Sequence, residues 1–293
     1  MPEFGIPVTL RTPAGDLVFN QFGQASYLRL TGFSLSKPRR TSVLPYPQRD
    51  GGIKTKMFKS GAYVVLDGEV ASFNDLTARA ALLDKIRALP DSIADVEGTL
   101  LWTPSGQAPR QMAVTLLDDP GDGPGHDILK SFQLQLYAAD PTTYGQALNT
   151  VNGAALAAAA AGTFVPTAFT FPITFGGASS GGIATVLNAG NAPSWPIIRI
   201  YGQITAPSVV NVTTGLHVDL PGLTLNVGQY AEIDMRRETV RLNGSSTSPL
   251  TAYLDNTVSN FWPLPAGTSV VQLTGTGYDA NAYAAVIYRD GYA

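Results

Sequence analysis

The chain has 293 residues with a formal net charge of −3, 44% hydrophobic and 14% charged residues, and no cysteine. Disulfides and thiolate metal sites are thereby excluded, and so small a net charge argues against nucleic acid or an acidic membrane as the main ligand. Charge is well below the roughly 25% usual for a soluble domain, so either something other than charge keeps the chain soluble or partners, expected to be proteins or sugars, cover part of its surface.

At about 150 residues per domain the length predicts two domains. The 30 glycines and 21 prolines among many Thr, Val and Ser residues fit short strands joined by tight turns. Met1-Pro2-Glu3 opens no basic, apolar leader. The longest small-apolar run, Ala154 to Ala161, falls well short of the roughly 20 residues that span a bilayer. A cysteine-free chain of this kind fits assembly in a reducing cytosol.

Residues 4–35 read as short strands broken by glycines, with a hairpin turn at Pro13-Ala14-Gly15-Asp16, where proline presets φ and glycine admits positive φ. Residues 37–59 differ. Lys37, Arg39, Arg40, Arg49, Lys54, Lys56 and Lys59 meet only Asp50 there. The first reading is a solvated loop or hairpin arm; the sharper one is an arm reaching an acidic surface on a neighbouring subunit. A matching acidic segment contains Asp118, Asp119, Asp122 and Asp127. Its opening resembles a calcium loop, but proline and glycine fill ligand positions and no glutamate closes it, so a turn-rich loop is expected instead of a metal site.

Tyr63 to Val70 reads as a strand leading into one helix. Asn74 is placed to cap it and Asp75 suits its first turn, while Leu76, Ala80, Leu82, Leu83, Ile86 and Leu89 form an apolar stripe ended by Pro90. Arg79 falls inside that stripe, its stem expected along the core. Gly98 to Pro104 and Arg110 to Leu117 predict a hairpin. Phe132, Leu134, Leu136 and Ala138 alternate with polar residues in a closing strand that stops at Asp140-Pro141. The reading is a first domain at 1–146, an Ala/Gly-rich linker at 147–163 and a second domain at 164–293.

The second half shows no helical period. Strands are expected at Phe164 to Phe175, Gly182 to Leu187, Pro196 to Gln203, Ser208 to Val212, Gly215 to Leu220, Gln229 to Met235, Thr239 to Asn243, Thr268 to Thr274 and Ala282 to Arg289, a β-sandwich of jelly-roll or lectin-like type. With Arg236-Arg237-Glu238-Thr239 as a four-residue loop, Met235 is predicted to face Val240, Ile233 to face Leu242 and Asp234 to face Arg241.

A run of phrases in this half resembles the C-terminal domain of phage distal tail proteins: Asn188-Ala-Gly-Asn191-Ala-Pro193-Ser-Trp195-Pro196-Ile197, Ile200-Tyr-Gly202, Asn211-Val-Thr-Thr-Gly215, Ala231-Glu-Ile233-Asp234, Val240-Arg-Leu-Asn243-Gly244 and Phe261-Trp-Pro-Leu264-Pro-Ala-Gly267. Gly61 to Leu89 and the Phe132 to Gly145 stretch resemble the first half of that family. The resemblance implies a mainly β protein: a barrel-like or split-barrel belt domain with one helix, related to tail-tube proteins, and a galectin-like β-sandwich. It further implies a homo-oligomeric ring, usually of about six subunits, around the DNA ejection channel. Such a ring joins the tail tube to the tip hub, with receptor-binding or side-fibre proteins as further partners, in the distal virion tail. Neither a cofactor nor an enzymatic activity is implied.

Two alternatives come from other classes. A catalytic or metal pair could be built from His217 and Asp219, but no G-x-S-x-G, H-E-x-x-H or phosphate loop accompanies them, and a sheet-face histidine is the plainer reading; His126 lies in the acidic loop. A carbohydrate-binding module contacting the host surface would use Trp195, Tyr253 and Trp262 as stacking faces. Core packing is the competing reading for the tryptophans.

Overall fold

Residues 7–21, 26–41, 43–46, 50, 52–54, 57–72, 75–94, 96–125, 129–156 and 182–293 are described by the computed structural model, with backbone alone at 43–45, 52–54 and 121–125. The chain divides into two units, Met1–Gln146 and Ala147–Tyr292. Each has its own hydrophobic core.

In the first unit the strands begin with β1 (Val8–Thr12), β2 (Gly15–Phe19) and β3 (Ser26–Ser36). Four short strands follow: β4 (Arg39–Arg40), β5 (Val43–Pro45), β6 (Gly52–Lys54) and β7 (Phe58–Lys59). Next come β8 (Ala62–Ser72), helices α1 (Leu76–Arg87) and α2 (Leu89–Ile93), β9 (Gly98–Trp102) and β10 (Arg110–Leu116). The unit ends with β11 (Gly121–Gly125), β12 (Leu129–Ala138) and β13 (Thr143–Gly145).

Hydrogen bonding runs β12-β8-β3-β2-β1-β9-β10, and a β10–β12 pairing returns the sheet to its start, so the strands close into a barrel. Inward residues alternate with outward ones, as in β12, where Phe132, Leu134, Leu136 and Ala138 are buried. The ladders are unequal. β3–β8 and β12–β8 each carry ten register pairs, whereas β2–β3 is a single parallel pair, Phe19 with Leu28, and β10–β12 has two, Thr115 with Tyr137 and Leu116 with Leu136.

The Asp75 carboxylate caps α1 by accepting from the Ala78 amide at 2.8 Å. That corrects the expected cap, Asn74, which lies outside the described residues. Burial centres on Leu83 and Ile86; Leu76 is 63% exposed and Ala80 is also exposed, so the apolar stripe is narrower than its spacing predicted. The helix packs on β3 and β8 while α2 packs on β10, so only part of each helix faces the core. Pro90 does not end the helical stretch. It stands in the first turn of α2, where a missing amide costs nothing. Asp75→Ala is expected to lower stability by about 1 kcal/mol, read as a shift in the urea midpoint of the full chain at unchanged slope.

The second unit contains β14 (Asn149–Asn152), β15 (Ile183–Asn188), β16 (Ile197–Tyr201), β17 (Ile204–Asn211), β18 (Leu216–Asp219) and β19 (Thr224–Leu225). It continues with β20 (Tyr230–Asp234), β21 (Thr239–Leu242), a 3-10 turn at Thr251–Tyr253, β22 (Gly267–Thr276), β23 (Tyr283–Tyr288) and β24 (Gly291–Tyr292). One sheet has the order β14-β23-β16-β20-β21; the other has β15-β22-β17-β18 with β19 on β17. Val186, Ile198, Ile200, Val209, Ile233, Val271, Leu273 and Val286 fill the space between them.

Two expectations change here. Residues 149–156 belong to the sandwich and not to a linker: β14 pairs with Ala285 to Tyr288, Gly153 donates to the Ala284 carbonyl, and Leu156 is buried. β14 itself is Asn-Thr-Val-Asn, too short to show a period, and the Ala/Gly-rich residues that follow it drew it into the linker reading. Residues 157–163 and the expected strand Phe164 to Phe175 lie outside the described residues. In the β20–β21 hairpin the pairs are Ile233 with Val240, Glu232 with Arg241 and Asp234 with Thr239, a register two residues from the expected one. The Asp234 carboxylate accepts from the amides of Arg236 and Arg237, and Glu238 adopts φ 54°, which closes the loop over Met235 to Glu238.

Candidate functional site

The basic hairpin is partly formed. Arg39 lies opposite Lys59 and Arg40 opposite Phe58, all exposed, Phe58 to 55%. Like charges side by side across a two-residue ladder are unfavourable within one chain. Such a pair suits an external anion or carboxylate partner. Lys37 is different: its Nζ donates to Thr143 Oγ1 at 3.0 Å, half-buried within the unit. Burial, then repulsion from Lys59, lowers its pKa, with Asp140 opposing and Arg110 adding to the fall. Lys54 lies on β6; Lys56 is outside the described residues.

Asp118 and Asp119 are exposed in the turn after β10, with the Asp118 carboxylate accepting from the Asp119 amide at 2.9 Å. Asp122 is on β11, and Asp127 and His126 are outside the described residues. Among the described residues no ion pair joins the acidic set to Arg39, Arg40 or Lys59. The sequence reading also missed the apolar surface beside the cations. Met57 and Phe58 are both exposed, and on the outer barrel face Tyr63 and Tyr137 pair at 5.4 Å between ring centroids. Tyr63 stands at an outward position of the β8 alternation, which could have found it.

Of the three candidate stacking residues, only Tyr253, at 43% exposure, presents an open ring. Trp262 is fully buried, which removes it as a stacking face, and Trp195 is partly buried against the same core. His217 Nε2 lies 3.5 Å from Asp219 Oδ2 on β18, and Ser208 Oγ hydrogen-bonds Asp219 Oδ1. The serine therefore engages the carboxylate instead of the imidazole, and this is not a nucleophile–base contact. Among the described residues no group of three or more His, Asp or Glu side chains is placed to hold a metal ion, and no helix is long and apolar enough to cross a membrane.

Comparison with known proteins adds a decisive observation for the second unit. Residues 189–292 match the family model of the siphovirus-type tail component, C-terminal domain. The match runs from just after β15 through β24, over the stretch whose ordered phrases carried the resemblance, and that resemblance is borne out. Comparison with the curated proteins finds no match.

Among solved structures, the chain is similar to SPP1 Dit, described as a paradigm of hub adsorption apparatus in phages infecting Gram-positive bacteria. The two share 14% identity with a TM-score of 0.62, over 98% of this chain and 99% of that one. It is also similar to chains of the phage p2 baseplate in its activated conformation. With calcium the identity is 12%, with strontium 14%; in both the TM-score is 0.53 and 97% of each chain is covered. At these identities the likeness is one of fold, and it extends over both units.

Proposed function

We propose that the protein is a structural component of the distal end of a siphophage tail. In this reading copies form a ring that joins the tail tube to the tip hub and surrounds the channel through which DNA leaves. The observation that carries it is the tail-component domain at residues 189–292, and the shared fold with SPP1 Dit along 98% of the chain supports it. In this reading the first unit supplies the ring wall. A heterologous contact between copies closes into a ring when its rotation permits. The exposed Arg39, Arg40 and Lys59 of one copy supply one side and Asp118 and Asp119 of the next supply the other. A lumen wall without clustered cations would let DNA pass, since each neutralised phosphate adds salt-dependent affinity.

Light scattering of the full chain, followed by electron microscopy of the large species, tests this. A ring of about six copies with a central hole is expected, weakening as salt rises from about 0.05 to 0.5 M. Reversing charge at Arg39, Arg40 and Lys59 should disperse it, and adding Asp118→Lys and Asp119→Lys to the same chain should restore it. A species that stays monomeric at every concentration, both alone and mixed with tail tube and hub proteins, would overturn the ring. Intact rings in the charge-reversed variant would overturn the contact.

A further inference from the structure

Separate stretches of the first unit bring cations together. Lys37 follows β3 and Lys59 ends β7, so they stand on the two legs of the basic hairpin, which are joined at the root where the Ser60 amide donates to the Pro38 carbonyl at 2.9 Å. Arg39, opposite Lys59 in the ladder, adds a third charge. Arg110 opens β10 and pairs with Gly145 on β13, two residues from the buried Thr143 that accepts from Lys37 Nζ at 3.0 Å. One ammonium thereby fastens the hairpin root to the barrel.

The acids leave this group uncompensated. Among the described residues no carboxylate lies within ion-pair distance of Lys37, Arg39 or Lys59. Asp140 acts on Lys37 only from further off, and both its oxygens are engaged, Oδ1 by the Thr142 amide at 2.9 Å and Oδ2 by the Tyr144 hydroxyl at 2.6 Å. Lys59 and Arg110 stand near enough to repel the Lys37 ammonium, which is also drawn half out of water; burial and then this repulsion lower its pKa. A chain that gathers like charges and partly desolvates one of them gives up stability unless an anion completes the group. An ammonium has three donors and Thr143 takes one, so two are left to aim.

We infer that Lys37, Lys59 and Arg110 form a binding site for a single oxyanion, a carboxylate or a phosphate, with Lys37 as its central donor. The anion accepts charge-assisted hydrogen bonds from the two ammonium groups and sits beside the guanidinium. One bound anion ties both legs of the hairpin to β10, so the arm is held more firmly with it than without. The inference goes beyond the ring reading and does not depend on it, because the site is complete within one copy. Lys59 is common to both, whereas Lys37 takes no part in the contact proposed between copies, so substitution at Lys37 separates the two.

Thermal unfolding of the full chain in sodium phosphate and in sodium acetate, each compared with sodium chloride at equal ionic strength, tests it. A saturable rise in the midpoint is expected with at least one of them. A rise with both marks the shared oxyanion chemistry; acetate alone would point to a carboxylate source, and phosphate alone to a phosphate. Lys37→Met should weaken the apparent affinity roughly tenfold or more through loss of charge-assisted bonds. In chloride the same variant should unfold no lower than the parent, since it removes the repulsion and the half-buried charge. Arg40→Gln, outside the group, should leave the anion response unchanged. No rise beyond chloride with either anion would overturn the site. So would an equal rise in Lys37→Met, which would make that lysine structural, or a rise lost equally in Arg40→Gln, which would make the effect one of diffuse surface charge.

Discussion

Trp262→Ala is expected to remove about 3–5 kcal/mol from the second unit, a large share of the roughly 5–15 kcal/mol that holds a domain folded. Trp262 is fully buried and heads the largest enclosed side chains. Its loop is pinned on both sides: Asn260 donates to the His217 carbonyl at 2.8 Å, and Ser194 and Leu264 exchange backbone hydrogen bonds of 2.9 and 2.7 Å. Walls held by backbone cannot collapse into the space an indole leaves, so the cavity term stays. Among the described residues Trp262 Nε1 is buried without a hydrogen-bond partner. Trp262→Phe therefore discards an unsatisfied donor along with part of the ring, and should cost much less than alanine. Urea unfolding followed by near-ultraviolet circular dichroism checks both; an alanine variant within about 1 kcal/mol of the parent would refute the cavity argument.

Gly68→Ala should produce the corresponding loss in the first unit, about 3 kcal/mol at the upper end of overpacking costs. A Cβ there would overlap the Phe132 ring and stand 2.7 Å from the Arg29 carbonyl oxygen. The ring is packed against Phe19, with centroids 6.1 Å apart, and the carbonyl belongs to β3, which is locked to β8 along its length. One obstacle is a side chain and the other is backbone. Adding Phe132→Leu should thus recover part of the loss, and the double variant should be less destabilised than the sum of the singles. Full recovery would mean that the carbonyl imposes no cost; no recovery would mean that the ring does not.

The features legible in the sequence were those carried by local periodicity. Phe132 to Ala138 alternated in sequence and alternates in burial, and the stop at Asp140-Pro141 is reinforced by the Asp140 carboxylate, which accepts from the Thr142 amide and the Tyr144 hydroxyl. The β20–β21 hairpin shows where periodicity ends. A shift of two residues keeps every side chain on its face, so alternation could not choose between registers; the Asp234 side chain, bonding two loop amides, did. The charge run at 37–59 was read as one arm, yet Lys37 is drawn inward by Thr143, more than a hundred positions away. A stacked row of tyrosines in the second unit was invisible for the same reason. Tyr201, Tyr230 and Tyr283 meet only because β16 lies between β20 and β23, a fact of topology that no local window contains.

The inequality of the barrel ladders has a mechanical consequence. Strands β12, β8 and β3 form one stiff half-shell and β2, β1, β9 and β10 another, joined along two short seams with one and two register pairs. Force applied across the barrel concentrates on the joints with the fewest backbone bonds, so the halves would part there before any strand frays. Such a body resembles a clamshell with two hinge lines. The packed barrel can open slightly at these seams while each shell keeps its own bonding, with the fastest amide exchange at Phe19, Leu28 and Thr115 instead of along β8.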